Sequence, residues 1–502
     1  MDLLSNLALG FETAASPENL LFCLVGVVLG TLIGVLPGIG ATATIAMLLP
    51  ITFQLEPVSS LIMLAGIYYG AQYGGSTTAI LINMPGESSS AVTAIDGYQM
   101  ARRGRAGTAL AVAALGSFFA GTVATLLVAL FAPPLTAVAL EFGAAEYFSL
   151  MVLGLVCAVA LAHGSLLKAL AMVVLGLLLG LVGTDIYTGA PRFTGGLPEL
   201  ADGLSFVGLA VGVFGIAEIL RNLEGGEGDR TVLGAALGRL WPSRGDLRAM
   251  VAPMIRGTAL GSALGILPGG GAILAAFGSY TIEKRLSKNP REFGQGAIAG
   301  VAGPESANNA GAQTSFIPLL TLGIPANPVM ALMVGAMIIQ GIVPGPNVAT
   351  EQPDLFWGII ASMWIGNLLL IVLNLPLIGV WVRLLKVPYH VLFPVIIAFS
   401  SIGVYSVKGN SFDLFAVAAF GLLGYLFLKL RCEPAPLLLG FVLGPLLEEN
   451  LRRAMILGRG DPTVFLTRPI SAGLLALTAV VLLVMLLPRV RSKREEVFTE
   501  AE

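Results

Sequence analysis

Long apolar runs separated by short polar loops follow one another along most of the chain of 502 residues. An α-helix needs roughly 17–25 apolar residues to cross a bilayer, and most of these runs are about that long. We therefore predict membrane helices near 107–132, 146–163, 166–187, 203–220, 355–382, 389–406, 412–429, 435–447 and 470–487. With the interrupted runs described next, the pattern predicts an all-α polytopic membrane protein with about 11–12 crossing segments.

Two further apolar runs are interrupted by nearly the same motif. Gly34–Gly40 reads GVLPGIG, and Gly265–Gly271 reads GILPGGG. Proline breaks a helix, and glycine permits backbone angles that other residues avoid. Inside hydrocarbon, such a break is tolerated only where protein or a water-filled cavity satisfies the freed backbone groups. The two Pro-Gly pairs therefore predict broken helices that line a cavity.

The segments after these breaks carry polar residues at an unusual density. They are residues 58–84 and 295–323, which end at Pro85 and Pro325. The two prolines are 240 positions apart and the two Pro-Gly breaks are 231 apart, while Gly70-Ala71-Gln72 matches Gly311-Ala312-Gln313 at 241. Ordered matches with small gaps predict a domain duplication with a period of about 235 residues.

The duplication divides the chain into two membrane repeats and two smaller parts. Residues 1–221 and 250–455 would form the repeats, and the hydrophilic residues 222–249 would be a cytoplasmic linker. Residues 456–502 would supply a final transmembrane helix and a cytoplasmic tail.

Basic residues occupy opposite loops in the two repeats. The loop 284–291 contains four Lys and Arg residues and its counterpart 53–60 none, whereas 102–105 contains three arginines and 342–346 none. Because Lys and Arg collect on the cytoplasmic side of short loops, equivalent loops would lie on opposite faces. That is the pattern of two inverted structural repeats.

The same rule predicts that each break lies at the tip of a re-entrant helical hairpin. Residues 250–283 would enter and leave on the cytoplasmic face, and 19–53 would do so on the other, so that the tips meet near the midplane. Four arginines oppose this threading because they fall on the outer face, namely Arg452, Arg453, Arg459 and Arg468. The alternative is that 435–447 lies re-entrant or interfacial and does not cross.

Composition narrows the function. The chain is 56% hydrophobic and 12% charged, about half the charged share of a soluble domain. A net charge of -2 offers no basic footprint for nucleic acid, and the partner surface is a lipid bilayer. The three cysteines, Cys23, Cys157 and Cys432, are far apart, and neither His163 nor His390 lies in a Cys or carboxylate cluster. We therefore expect no zinc site and no nucleophile–histidine pair.

Each broken helix would offer two kinds of binding group. N–H groups at the start of the downstream piece carry partial positive charge and suit a carboxylate, whereas free carbonyls of the upstream piece suit Na⁺. The first copy adds the hydroxyls of Thr42 and Thr44, which Ile273 and Ala275 replace in the second. This difference favours the first tip as the contact for a carboxylate and is consistent with an ion at the second.

Polar residues around the breaks complete the predicted site. The residues expected to contact substrate are Pro37, Gly38, Gly40, Thr42, Thr44, Gln72, Ser76, Asn83, Gly86, Ser88, Gly269, Gly270, Gly271, Asn308, Asn309 and Gln313. The residues expected to contact a coupling ion are Asn83, Asn308, Thr314 and Asn327. No arginine lies in the polar segments, so we expect no guanidinium clamp.

A structural alternative applies to each of these residues. Buried amides such as Asn308 and Asn309 can join helices by hydrogen bonds, and Ser76 can bond its own helix. For Glu87 and Glu305, a structural partner or an interfacial position is as well supported as ion binding.

Six motifs carry a resemblance to a known family. They are Gly34–Gly40, Tyr69–Ser76 (YGAQYGGS), Asn83–Glu87 (NMPGE), Asp96–Met100 (DGYQM), Gly265–Gly269 and Pro304–Ala310 (PESANNA). Together they resemble the large membrane subunit of the tripartite tricarboxylate transporters, the TctA family. The resemblance covers essentially the whole chain and implies a multi-pass transport protein of the bacterial inner membrane that is not an enzyme.

The resemblance also implies partners and an energy source. The partners would be a small four-helix membrane subunit (TctB-like) and a periplasmic solute-binding protein (TctC-like). Transport would be secondary and coupled to a cation, with Na⁺ as the expected ion and no cofactor. The substrates would be carboxylates, such as citrate-like tricarboxylates, dicarboxylates and related organic acids. Alternating access of the elevator type would suit two opposed hairpins.

Other functions remain open at this point. A self-sufficient ion-coupled permease would need no binding protein. A membrane enzyme would need a convergent nucleophile and base or a metal set, which the sequence does not offer. A channel would give unsaturable flux without ion coupling.

Overall fold

The computed structural model describes residues 3–36, 40–162, 165–225, 238–267, 271–384 and 389–486. Its helices are α1 (Leu3–Ala14), α2 (Pro17–Val35), α3 (Ala41–Thr52), α4 (Pro57–Ile82), α5 (Ala91–Arg102), α6 (Ala106–Ala139), α7 (Ala144–Leu161), α8 (Leu166–Gly180), α9 (Phe206–Ala210), α10 (Ala217–Gly225), α11 (Arg244–Gly265), α12 (Gly271–Leu286), α13 (Ala299–Thr314), α14 (Phe316–Leu322), α15 (Pro328–Ile339), α16 (Val348–Glu351), α17 (Pro353–Asn374), α18 (Ile378–Leu384), α19 (Tyr389–Lys408), α20 (Ser411–Lys429), α21 (Ala435–Leu457), α22 (Val464–Thr467) and α23 (Pro469–Leu486).

Short elements complete the fold. They are 3₁₀ helices at Ser88–Ser90, Pro198–Leu200 and Pro290–Glu292, and a π-helical segment at Val211–Ile216 that joins α9 to α10. The strands β1 (Gly183–Thr184) and β2 (Pro191–Arg192) pair antiparallel, with Gly183 opposite Arg192.

The helical, membrane-spanning architecture is confirmed. In the described part of the chain, five segments are long and apolar enough to cross a membrane: α2, α6, the joined helix Phe206–Glu224, α17 and α20. The chain is therefore a multi-pass membrane protein. Two predicted spans end early: α8 stops at Gly180 before the strand pair, and α17 ends at Asn374, two residues before Pro376. Proline disfavours helical backbone in the residue before it.

The N-terminal helix α1 was not predicted by the apolar pattern, because it is only 12 residues long. It packs on α17, where Phe11 stacks on Trp364 with ring centroids 5.8 Å apart. Gly10 lies directly against the backbone of Trp357.

Helices α2 and α4 cross so closely that their backbones touch. Gly26, Gly30 and Gly34 lie four residues apart on one face of α2. Their partners on α4 are the carbonyl groups of Met63, Ile67 and Ala71. An added methyl group at any of these glycines would overlap the facing carbonyl oxygen. Small residues at this spacing allow such close contact in membranes, so the α2–α4 seam holds the broken end of α2 against α4.

Helices α11 and α13 form an equivalent seam. Gly257, Gly261 and Gly265 on α11 lie 231 positions after the three glycines of α2. Their partners on α13 are Gly303, Ala307 and Gly311, each 240 positions after its counterpart on α4. The contacts therefore reproduce the duplication. In these contacts each residue of α13 is equivalent to the residue of α4 that lies 240 positions earlier. The match of Gly70-Ala71-Gln72 to Gly311-Ala312-Gln313, at 241 positions, is therefore off by one residue.

The two broken helices differ in how their pieces pack. Helices α11 and α12 lie along one another, whereas α3 makes few contacts with α2 and packs mainly on α4, α15, α19 and the π-helical segment. The inverted orientation of the repeats, the two re-entrant hairpins and the domain boundaries stay predictions.

The arginines that opposed the threading are largely paired with acidic residues. Arg452 contacts Asp185 at 2.8 Å and Glu448 at 2.6 Å. Arg468 contacts Glu146 at 2.6 Å, and Arg453 contacts Glu449 at 3.0 Å. Asp185 lies in the loop after α8, where the Tyr187 N–H and then the Arg452 guanidinium lower the pKa of its carboxyl group. The end of α21 is thus tied to this loop.

The glycine seams give a direct stability test. We expect Gly30→Ala and Gly261→Ala each to destabilise the protein by about 3 kcal/mol or more, because the new methyl group meets a backbone oxygen that cannot rotate away. The measurement is the apparent melting temperature of the purified protein in detergent.

Gly473→Ala in α23 is the matched control, since nothing lies within 4 Å of the new methyl group. Alanine favours helix over glycine by about 1 kcal/mol, so this variant should melt at or above the wild-type temperature. Equal melting temperatures for all three variants would contradict the seam.

Candidate functional site

One cavity of about 400 Å³ lies where the broken helices restart. Thr42 at the start of α3 and Gly271–Ile273 at the start of α12 both line it. Ser88 and Ser89 of the 3₁₀ helix line it as well, as does Asn327–Val329 at the start of α15. The structure therefore brings the starts of α3, α12 and α15 to one cavity, whereas the two predicted tips, Pro37-Gly38 and Pro268–Gly270, lie outside the described residues. The N–H groups of such helix starts are suited to binding anions.

An arginine outside the polar segments also lines this cavity. Arg221 on α10 lines the cavity and makes a 3.7 Å ion pair with Glu218, one turn earlier. The α20–α21 connection lines the same side through Glu433 and Pro434. The charge run that begins at Arg221 reads as a linker in the sequence, which is why this contribution was missed.

The start of α3 is occupied by a carboxylate of the chain itself. Glu87, 46 residues away in sequence, accepts a hydrogen bond from the Ala41 N–H through Oε1. A Cβ on Gly40 would lie 3.4 Å from the same oxygen. A carboxylate at a helix N-terminus is favourable because it satisfies a free donor and complements the helix dipole.

The broken end of α2 is also satisfied from within the chain. The Thr78 hydroxyl donates to the carbonyl oxygen of Gly34 at 2.9 Å. Gly86 packs directly on the same carbonyl group, so Gly86 closes the loop against α2. The Gly34 carbonyl group, one of those expected to suit Na⁺ at the end of α2, therefore already has a protein partner.

A second polar cluster surrounds Glu305 on α13, whose side chain is completely buried. Its carboxylate accepts hydrogen bonds from Ser76 on α4 at 2.6 Å, Ser117 on α6 at 3.3 Å and Thr93 on α5. Asn309 donates to Ser117 at 2.7 Å. In the described part of the chain no basic side chain pairs with Glu305. A void of about 10 Å³ adjoins it, close to the space that one water needs.

The predicted site residues separate into groups. Thr42, Gln72, Ser88, Gly271 and Asn327 line the cavity, and Gly40 lies beside Glu87. Ser76 and Asn309 belong to the Glu305 cluster. Pro37, Gly38, Gly269 and Gly270 lie outside the described residues.

The remaining predicted residues do not line the cavity. Thr44 and Thr314 bond carbonyls of their own helices at 3.0 Å. Asn83 is exposed and caps α4 in the left-handed conformation, with φ 57°. Asn308 is fully buried, and neither of its amide atoms has a hydrogen-bond partner in the described structure. Gln313 is buried with its Oε1 likewise unpartnered.

Sequence reasoning missed several residues besides Arg221. Tyr68 and Ser89 line the cavity, and Thr93 and Ser117 hold Glu305. Ser117 is one of several hydroxyl residues in the apolar helix α6, and no pattern in the sequence distinguishes it from the threonines there. The described residues contain no group of three or more His, Cys, Asp or Glu residues placed to hold a metal ion.

Asp96 on α5 joins the two halves of the site. Its Oδ1 accepts hydrogen bonds from the N–H groups of Gly294, Gly296 and Ala297 at 2.7–2.9 Å. Its Oδ2 accepts from the Tyr280 hydroxyl of α12 at 3.0 Å. The fully buried carboxylate therefore fixes α12 and the loop before α13 against α5.

Comparison with known proteins decides the family. The model of the family described as "Tripartite tricarboxylate transporter TctA family" matches residues 20–439. The chain belongs to this TctA family. The TctA family is a family of transporters.

Two curated proteins of Agrobacterium vitis are similar to this TctA-family chain. One is described as an uncharacterized 52.8 kDa protein in the TAR-I ttuC' 3' region and is 68% identical over 502 residues, covering 100% of both chains. The other, an uncharacterized protein in the TAR-II ttuC' 3' region, is 69% identical over 240 residues, covering 48% of this chain and 99% of its own length. No solved structure matches the chain.

The Asp96 contacts predict a strong effect on stability. Asp96→Ala should lower the free energy of unfolding by about 3 kcal/mol or more, because the N–H groups of the half-buried Gly294 and Gly296 and of the buried Ala297 lose their acceptor. Asp96→Asn keeps an acceptor oxygen for those groups and should cost clearly less. Apparent melting temperatures in detergent check both, and equal losses for the two variants would show that the oxygen is not what matters.

Proposed function

We propose that the protein is the transport subunit of a binding-protein-dependent importer that moves carboxylates across the bacterial inner membrane, coupled to Na⁺. The observation that supports this most is the shared cavity, where helix starts of both repeats converge in a chain of the TctA family. A pocket at the junction of two repeats, built from broken helices, is the usual place for a transported solute in secondary transporters.

The chemistry of the cavity suits an organic anion. Helix N–H groups supply partial positive charge, Thr42, Ser88 and Gln72 supply hydrogen-bonding groups, and Arg221 supplies a full charge at one side. Citrate-like tricarboxylates, dicarboxylates and related organic acids have the acceptor oxygens that such donors recognise. The volume of about 400 Å³ is within the range of small-molecule sites.

Na⁺ is proposed as the coupling ion, and Glu305 as the central ligand of its binding site. The carboxylate lies among the hydroxyl oxygens of three helices, and hard cations prefer such oxygen ligands. Asn308 lies one turn further along α13 with an unpartnered buried amide. Ser76 bonds Glu305 and lies one turn after Gln72 on α4, and Gln72 lines the cavity. Binding of Na⁺ at Glu305 would therefore be coupled to the cavity through α4.

The partners and the mechanism belong to the same proposal. A TctB-like small membrane subunit and a TctC-like periplasmic binding protein would complete the transporter. The two repeats would be inverted and would move by alternating access of the elevator type. The equivalent glycine seams of α2–α4 and α11–α13 support the duplication that this requires.

Uptake by proteoliposomes tests the proposal. With the small subunit and the cognate binding protein present, an inward Na⁺ gradient should drive accumulation of labelled citrate or succinate. No accumulation of either anion under any gradient would contradict the function, and equal accumulation without the binding protein would favour a self-sufficient permease.

Glu305→Gln tests the ion site separately. The neutral side chain should raise the Na⁺ concentration for half-maximal uptake about tenfold or more, since Glu305 is the only charged side chain among the described residues of the cluster. Glu12→Gln, an exposed change on α1, is the control and should leave that concentration unchanged. An unaltered Na⁺ response in Glu305→Gln would place the ion elsewhere.

A further inference from the structure

The two repeats differ at one equivalent position beside the cavity. With the register of 240, Glu87 corresponds to Asn327. Both residues follow a helix that ends in a left-handed residue, Asn83 with φ 57° and Gly323 with φ 70°. Both then precede a new helical segment, and both line the cavity. One repeat therefore has a carboxylate where the other has a neutral amide.

The carboxylate closes the start of α3. Glu87 accepts from the Ala41 N–H, and its second oxygen lies 3.7 Å from a Cβ built on Gly40. A second anion at this position would meet the negative charge of Glu87 at close range, which is unfavourable in a site of low dielectric constant.

The start of α12 packs on α11, with Gly271 against the Leu264 carbonyl group, but it has no carboxylate cap among the described residues. In the described structure no side chain caps the N–H groups of Gly271, Ala272 or Ile273, although all three residues line the cavity. Asn327 does not act as Glu87 does, because its Oδ1 accepts from the Met330 N–H at 2.9 Å and its Nδ2 donates to the Tyr68 hydroxyl at 3.2 Å.

An independent observation indicates a ligand with acceptor atoms on this side. Gln72 lines the cavity but is only 3% exposed. Its Oε1 accepts from the Ser89 hydroxyl at 2.9 Å, which leaves Nε2 as a donor with no partner among the described residues. Ser89 belongs to the 3₁₀ helix Ser88–Ser90, which packs on α12. Unlike the amide atoms of Asn308, this nitrogen is not among the enclosed atoms without a partner, so it faces the cavity, where a carboxylate would accept from it.

We propose that a carboxylate group of the transported anion binds the start of α12, at Gly271–Ile273 with Gln72, and that Glu87 keeps the equivalent start of α3 closed as a built-in carboxylate. This assignment rests on the proposed transport function and makes it specific. It reverses the sequence-based preference for the first tip, which relied on the hydroxyls of Thr42 and Thr44.

Cysteine protection at two equivalent positions tests the assignment. Thr42→Cys and Ile273→Cys are 231 positions apart, occupy the same place in the two repeats and both line the cavity. Each is made in a chain whose native cysteines, Cys23, Cys157 and Cys432, are replaced by serine or alanine. The full transporter in proteoliposomes is treated with N-ethylmaleimide, with and without citrate or succinate, and the same vesicles are assayed for uptake.

The transported anion should protect Ile273→Cys selectively. At about ten times the dissociation constant, labelling of this position should slow about tenfold, because only the free fraction reacts. Labelling of Thr42→Cys should change little. Stronger protection of Thr42→Cys, or equal protection of both positions, would overturn the assignment.

Uptake separates this proposal from the function on which it rests. Uptake of either anion without protection at Ile273→Cys overturns the α12 assignment and leaves the transport function standing. Absence of uptake and of protection for both anions overturns both.

Exchanging the charges at the two equivalent positions, Glu87 and Asn327, gives a second test. Asn327→Asp in the Ile273→Cys chain places a carboxylate beside the start of α12 and should weaken protection about tenfold or more by repulsion. Glu87→Gln removes the charge that closes α3, so the anion should protect Thr42→Cys in this variant as well as Ile273→Cys. Protection that stays confined to Ile273→Cys would contradict the role of Glu87 in closing α3. Undiminished protection in Asn327→Asp would overturn the proposal.

Discussion

A helix that breaks inside a bilayer leaves N–H and carbonyl groups that neither lipid nor its own hydrogen-bond ladder can satisfy. The first break meets this constraint largely from within the chain. Thr78 bonds the last carbonyls of α2, and Glu87 bonds the first N–H group of α3. At the second break the start of α12 faces the cavity instead. The proposed site at the start of α12 rests on this difference between the two breaks.

The glycine seams fix the broken ends of α2 and α11 in position. Backbone contact along α2–α4 and α11–α13 holds each broken end against a continuous helix, with no side chain between them that could adjust. Asp96 and Glu305 then join the repeats, the first through loop N–H groups and Tyr280, the second through hydroxyls of three helices. These contacts join α5 to α12 and α13, and α13 to α4, α5 and α6.

Much of the fold could be predicted from the sequence, since apolar length sets helix length and Pro-Gly pairs mark the breaks. The spacing of Pro37-Gly38 and Pro268-Gly269 predicts a duplication, and the glycine contacts of α2–α4 and α11–α13 recur at that spacing; the orientation that the loop charges indicate stays a prediction. The partners of individual polar residues could not be predicted. Thr42 lines the cavity whereas Thr44 bonds a carbonyl of its own helix. Which of the two faces the cavity depends on how α3 is rotated about its axis, and the sequence does not specify that rotation. Glu87 reaches Ala41 across 46 residues, and no local pattern encodes that contact.

The opposed orientation of the two repeats is the claim on which transport by this cavity depends. It is tested most directly by the sidedness of two loops, using Gln54→Cys after α3 and Lys288→Cys after α12, each in a cysteine-free chain in intact cells. A membrane-impermeant maleimide should label Gln54→Cys from the periplasm and Lys288→Cys only after the inner membrane is opened. Labelling of both positions from the same side would contradict the inverted arrangement and, with it, the account of the cavity as the meeting point of two opposed hairpins.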